Sequence, residues 1–264
     1  MLDALLLDFL RPLDENAWLS PTIAGNWTIK DIAAHLLDGN LRGLSVSRDG
    51  FSMAPGEKVE TYQNLLAYLN RLNGEWTLAA QRLSPAVLIE LLAYTGSSYS
   101  SHLSRLDPEA KAVFGVAWAG EASSNNRMHL AREFTEKFLH QQQIRDALGD
   151  QSLLHHALFY PFIDTCMFAL PFTYKGFPGL EGTVIEIEVL GEVGGKWHLV
   201  RQDQSWTLYR GAGHNPNTSI RLDTDIAWKL FSKGIKSEQA LAFVQVEGIQ
   251  ALAVPVFSAA AFMV

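Results

Sequence analysis

Through the first 150 residues the apolar positions recur at helical spacing. Leucines and Phe9 make residues 1–11 one amphipathic helix, and Pro12 and Ser20–Pro21 mark loop. A second helix opens at Thr28, with Asp31 three residues on as a capping-box partner. Its residues Ile29, Ile32, Ala33, Leu36 and Leu37 form one face. Gly50, Pro55 and Gly56 make 45–58 a loop. A third helix is expected over 59–83, and a fourth from Ser84–Pro85, with serine as N-cap and proline at the first helical position. Residues 107–124 are rich in glycine, serine and alanine and read as irregular. A fifth helix covers 126–148 and is stopped by Gly149.

Beyond residue 150 the pattern changes. Residues 152–170 read as helix interrupted at Pro161, and then the period drops from 3.6 to 2. Val184–Val189 alternates strictly, and Trp197–Val200, Trp206–Tyr209 and Ser219–Leu222 follow as short strands. A helix over Asp225–Phe231 precedes a fifth strand at Phe243–Val246. Strands joined by tight turns and then a helix give an α+β second part. The expected organisation is a helical domain over 1–150 and a smaller α+β domain over 151–264, in agreement with a length of 264 residues.

Composition narrows the function classes. Hydrophobic residues are 48% and charged residues 19%, which excludes wholesale disorder. The longest apolar stretch, Leu153–Tyr174, holds two histidines, Asp164, Pro161 and Pro171, which argues against a membrane span. It suits an interdomain or a homodimer interface equally. A single cysteine, Cys166, allows no intrachain disulfide and no cysteine-rich zinc site, so a cytoplasmic location is expected. It lies among Phe162, Met167 and Phe168 and reads as an inert buried thiol. With a net charge of −7 and no basic cluster, nucleic acid is not an expected partner. No glycine-rich phosphate loop follows a strand.

The fifth helix carries the chemistry. At about 100° per residue, His129, Glu133, Glu136 and His140 line a stripe about 60° wide. Glu136 and His140 are one turn apart, so both can reach one ion. Eight histidines among 28 acids would give about 1.7 His–acid pairs at four-residue spacing by chance, so the pair alone is weak; the stripe is stronger, and reads as a metal site or as a solvated, ion-paired helix face. By itself His35, on or beside the apolar face of the second helix, reads as a core-edge histidine bonded to a carbonyl. Brought across a bundle to Glu136 and His140, it would complete a His₂Glu set for a catalytic zinc or similar divalent ion with open positions.

Two stretches carry a family resemblance: Trp27-Thr-Ile-Lys-Asp31-Ile-Ala-Ala-His35-Leu-Leu, and Glu136-x-x-x-His140-x-x-Gln143. They resemble the DinB-like, mycothiol-dependent maleylpyruvate isomerase family. The pattern around Gly191, Trp197, Trp206, Ser219–Asp223, Ala227–Phe231 and Val246–Gly248 is similar to that family's sterol-carrier-like C-terminal domain. The resemblance implies a DinB-like four-helix-type bundle followed by that smaller domain. It implies a divalent metal, usually zinc, with nickel or iron as alternatives, held by His35, Glu136 and His140. It also implies a low-molecular-weight thiol such as mycothiol, which adds to a cis double bond of a small-molecule substrate, allows rotation and is eliminated to leave the trans product. Family members often carry aspartate where this chain has Gln143, a change that bears on a hydrogen bond behind the metal. His129 and Glu133 lie outside the usual triad and would be either supporting residues behind the metal or simply a polar seam. Arg201, Arg210 and Arg221, on or near strands, read as solvated strand-edge residues, any one of which is also a candidate to hold an anionic substrate. Two rival readings share the bundle: a metal-hydroxide hydrolase, and a non-enzymatic binder of apolar ligands or lipid with a structural metal. Fold alone does not choose among them, and no residue is assigned a catalytic role by the sequence.

Overall fold

In the computed structural model of the chain, residues 1–51, 56, 58–211 and 215–259 are described. They form two compact units. One comprises Met1–Phe114 with Asn125–Gln151, and the other Gly115–Ser124 with the chain from Ser152 onward.

The first unit is helical. It contains α1 (Leu2–Leu10), the short α2 (Glu15–Trp18), α3 (Ile29–Gly43), α4 (Tyr62–Ala80), α5 (Pro85–Leu103) and α6 (Asn126–Ala147). The start of α3 is capped reciprocally. The Thr28 hydroxyl accepts from the Asp31 amide, and the Asp31 carboxylate accepts from the Thr28 amide at 3.0 Å. Ser84 caps α5 by accepting from the Val87 amide, with Pro85 at the first helical position. Leu6, Leu10, Ile29, Ile32, Leu37, Leu88, Leu92 and Ile144 pack into one apolar core.

The part of the expected 45–58 loop next to α3 is instead helical. The chain continues past Gly43 into a π-helical turn, Leu44–Arg48, which packs on α5 as α3 does. Ser52–Pro55 and Glu57, also within that loop, lie outside the described residues.

Helix α6 is polar on nearly every face and yet buries Thr135, Gln141, Gln142, Gln143 and Arg145. Specific bonds explain this. The Gln141 amide donates to the Leu2 carbonyl at 2.9 Å and Arg145 donates to the Leu5 carbonyl at 3.0 Å, so α6 is locked along α1 by hydrogen bonds.

The second unit begins with α7 (His156–Met167) and α8 (Ala169–Thr173). Strands β1 (Val184–Val189), β2 (Gly195–Gln202), β3 (Ser205–Arg210) and β4 (Thr218–Leu222) follow. The chain then forms α9 (Thr224–Phe231), α10 (Ser237–Ala240), β5 (Gln245–Gly248) and α11 (Gln250–Ala253). The five strands form one sheet in the order β3-β2-β1-β4-β5. β1 pairs with β4 in parallel, and the other pairs are antiparallel.

The β2–β3 turn places Asp203 and Gln204 at φ +49° and +62°, the left-handed geometry of a tight hairpin. Ile187 lies between Trp197 and Ile220 in register, so these three share the apolar face of the sheet. Glu186 lies between His198 and Ser219 on the opposite face and receives hydrogen bonds from both at 3.2 Å.

Two expectations change in this unit. Pro161 does not interrupt α7, which runs through it. The proline removes one helical hydrogen bond, but Leu158, Phe159, Phe162 and Ile163 are fully buried around it, and their packing holds the helix. The last strand starts at Gln245 rather than Phe243. Its pairing sets Val246 against Ile220 and leaves Phe243 exposed. Cys166 is fully buried. Among the described residues no helix is long and apolar enough to cross a membrane.

Candidate metal centre

Helices α3 and α6 of the first unit bring His35, Glu136 and His140 together. One ligand-type atom from each lies within 4.8 Å of the others, and no other group of His, Cys, Asp or Glu among the described residues does the same. The capping box sets where α3 starts, and His35 then falls on the turn that faces α6. Helical spacing places His140 one turn beyond Glu136, with His140 Nε2 3.4 Å from the Glu136 carboxylate.

The two imidazole rings meet edge to face, with centroids 4.6 Å apart. Trp27 forms a wall, its ring centroid 5.0 Å from that of His35. Glu136 keeps 36% of its side-chain surface exposed, so the cluster is open to solvent.

The protonation states suit a cation. Burial, then the neighbouring His140, lowers the pKa of His35 to about 3, so its imidazole is neutral with a lone pair available. Burial pushes the Glu136 carboxylate up, but the hydrogen bond and charge of His140 outweigh it and hold Glu136 below the usual carboxylate range. His35 Nδ1 is buried and finds no hydrogen-bond partner among the described residues, a cost that a bound ion or its surroundings would relieve. Two imidazoles and one carboxylate fit zinc or a similar divalent cation.

Gln143 backs this cluster. Its Oε1 lies 2.8 Å from His140 Nδ1, an acceptor that would keep a proton on that nitrogen and leave Nε2 as the ligand atom once a cation replaces the proton shared with Glu136. Replacing Gln143 with leucine removes that acceptor. Divalent-metal affinity measured by calorimetry is expected to fall about 10- to 100-fold, whereas unchanged affinity would show that His140 is oriented by packing alone.

One turn earlier along α6 lies a second polar group. Arg132 Nη2 donates to Glu133 Oε1 at 2.6 Å and approaches His129 Nδ1 at 3.3 Å. The buried Tyr99 on α5 lies beside Glu133. Burial, then Arg132 and His102, lowers the pKa of His129 to about 4 and keeps it neutral. Burial raises the Glu133 pKa against the opposing pull of Arg132.

Tyr99 reaches Glu133 because Gly43 lies under its ring. A Cβ at that position would sit 2.3 Å from Tyr99 Cζ. The π-helical turn after Gly43 presents Ser47, whose hydroxyl is 2.9 Å from His102 Nε2.

Arg132, Tyr99, Trp27 and Gly43 are the residues here to which the sequence assigned no role. Arg132 at three-residue spacing from His129 was a legible signal. Tyr99 and Gly43 gave none, since their contact joins segments far apart in the chain.

The strand arginines are placed differently from the helical groups. Arg210 makes two bonds to Asp164, at 2.6 and 2.9 Å, and Arg221 bridges Glu188 and Glu247 at 3.1 and 2.9 Å. Arg201 lies over the Trp206 ring at 5.8 Å and forms no ion pair among the described residues.

Residues 2–145 match the family model for the mycothiol maleylpyruvate isomerase N-terminal domain. Among solved structures, the chain is similar to a histidine-to-alanine mutant of mycothiol-dependent maleylpyruvate isomerase. That match has 11% identity and a TM-score of 0.54, and covers 93% of this chain and 88% of the other. It is also similar to another crystal structure of mycothiol-dependent maleylpyruvate isomerase, with 12% identity, TM-score 0.50, and 87% and 83% covered. At such identities the likeness is one of fold. No curated protein matches the chain.

Proposed function

The chain belongs to the mycothiol maleylpyruvate isomerase family, and on that premise we propose that it is a divalent-metal-dependent enzyme using a low-molecular-weight thiol, such as mycothiol, for isomerisation or thiol transfer on a small-molecule substrate. The observation that supports this most is the convergence of His35, Glu136 and His140 from two helices on one solvent-open point.

These three residues would hold the metal, with zinc suiting the donor set best and nickel or iron sharing it. When bound, the cation supplies the positive charge that keeps a thiol ionised near neutral pH. The chain's own groups do the rest. His35 offers a neutral imidazole, Glu136 offers an ionised carboxylate, and Gln143 offers an acceptor to His140 Nδ1. Trp27 shields one side of His35 from water. Three protein donors leave room in a four-coordinate shell for one ligand from outside.

The test is turnover of maleylpyruvate by the full chain loaded with zinc and supplied with mycothiol. Conversion to the trans isomer that stops when the thiol is omitted is the expected result. Metal-dependent turnover that persists without thiol would replace this reading with a hydrolytic one.

A further inference from the structure

The Arg132–Glu133 pair is not used by the metal chemistry above, yet it is built with care. Both side chains remain partly accessible, at 21% and 17%, one helical turn before Glu136. Both are backed by buried groups: His129 Nδ1 lies 3.3 Å from Arg132 Nη2, and Tyr99 lies beside Glu133.

The donor inventory is specific. A guanidinium grips a carboxylate through one of two edges, each formed by two N–H groups side by side. With Nη2 bonded to both Glu133 and His129, the edge it shares with Nε and the edge it shares with Nη1 are both blocked. The N–H groups of Nε and Nη1 remain as separate donors, with no protein hydrogen bond among the described residues. Beside them the Glu133 carboxylate keeps lone pairs to spare. Single donors next to an anionic acceptor match a group that both accepts and donates, which is a hydroxyl, and they mismatch a carboxylate, which Glu133 repels.

We propose that Arg132 and Glu133 form a subsite for the hydroxyl-bearing, uncharged portion of a ligand bound beside His35, Glu136 and His140, with His129 and Tyr99 as positioning residues. The hydroxyls belong either to the thiol or to the substrate. The proposal rests on the triad being the reaction centre. Its test on metal-free protein can fail while that reading stands, and the triad can fail to bind metal while the subsite stands.

The probes are methyl β-glucoside, a neutral polyol, and succinate, a dicarboxylate, titrated into the metal-free full chain and followed by nuclear magnetic resonance. The glucoside is expected to bind, and to bind at least about tenfold more weakly to Arg132→Met and to the near-isosteric Glu133→Gln. His129→Leu, which returns one Nη2 hydrogen and so reopens an edge of the guanidinium, is expected to gain succinate affinity. A residue that served only the fold would not produce that gain.

Glucoside that fails to bind, that binds the variants as it binds the wild type, or that is outcompeted by succinate on the wild-type chain would overturn the proposal. In metal-loaded protein, 1-thioglucose separates the two sources. Binding tighter than ethanethiol, with the advantage lost in Glu133→Gln, assigns the hydroxyls to the thiol. Equal binding of the two thiols, with the glucoside still bound alongside ethanethiol, assigns them to the substrate. Glucoside displaced by ethanethiol, which has no hydroxyl, would overturn a subsite distinct from the triad.

Discussion

His140→Ala is expected to lose its metal. Elemental analysis should find about one divalent ion per chain in the purified wild-type protein and almost none in the variant. The reason is geometric. His35 and Glu136 approach from different helices, and His140 is the donor whose orientation is fixed by a dedicated bond, from its Nδ1 to Gln143. Without it, two donors remain on a site that needs three, and the lost affinity should exceed the about 10- to 100-fold typical of losing an outer-shell partner. Fold should survive, because His140 lies at the partly exposed edge of the cluster and contributes little to the apolar core. Metal retained at full occupancy in His140→Ala would remove the triad from consideration, and a wild-type chain that stays metal-free after reconstitution would do the same.

Asp164→Ala is expected to destabilise the second unit by about 2–3 kcal/mol. Asp164 on α7 accepts from the Trp197 indole N–H at 2.9 Å and from two nitrogens of Arg210. It thereby ties the helix to two neighbouring strands. The Arg210 side chain is half exposed, so water screens its share to within about 1 kcal/mol. The larger loss comes from Trp197, which is fully buried and would be left with an unsatisfied donor. Asp164→Asn keeps an acceptor for the indole and should cost only about 1 kcal/mol. Chemical denaturation followed by tryptophan fluorescence distinguishes the two, and equal losses for alanine and asparagine would assign the stability to the Arg210 charge instead.

Much of the architecture was legible because its signals are local. Thr28 and Asp31 bond each other across three residues, Ser84 precedes Pro85, and Gly149 takes φ +70° just past the last turn of α6. Alternation in Val184–Val189 places Ile187 and Glu186 on opposite faces, and pairing keeps them there. Pro161 misled because a proline rule describes the local cost to the backbone, whereas α7 is held by side chains buried on both sides of that residue.

The sequence by itself determined that Glu136, His140 and Gln143 share a helical face, since 3.6 residues per turn allows little else. It also determined that His35 sits beside an apolar stripe. Whether His35 would be a core-edge histidine or a partner of Glu136 lay beyond it, since that depends on how α3 packs against α6. The same holds for Tyr99, which reaches Glu133 only because Gly43 leaves room under its ring. It holds as well for Arg210 and Arg221, whose carboxylate partners come from other elements. Helix periodicity and capping act over a few residues and can be read from the chain. Contacts between residues tens of positions apart depend on side-chain shape in close packing, which a one-dimensional pattern does not carry.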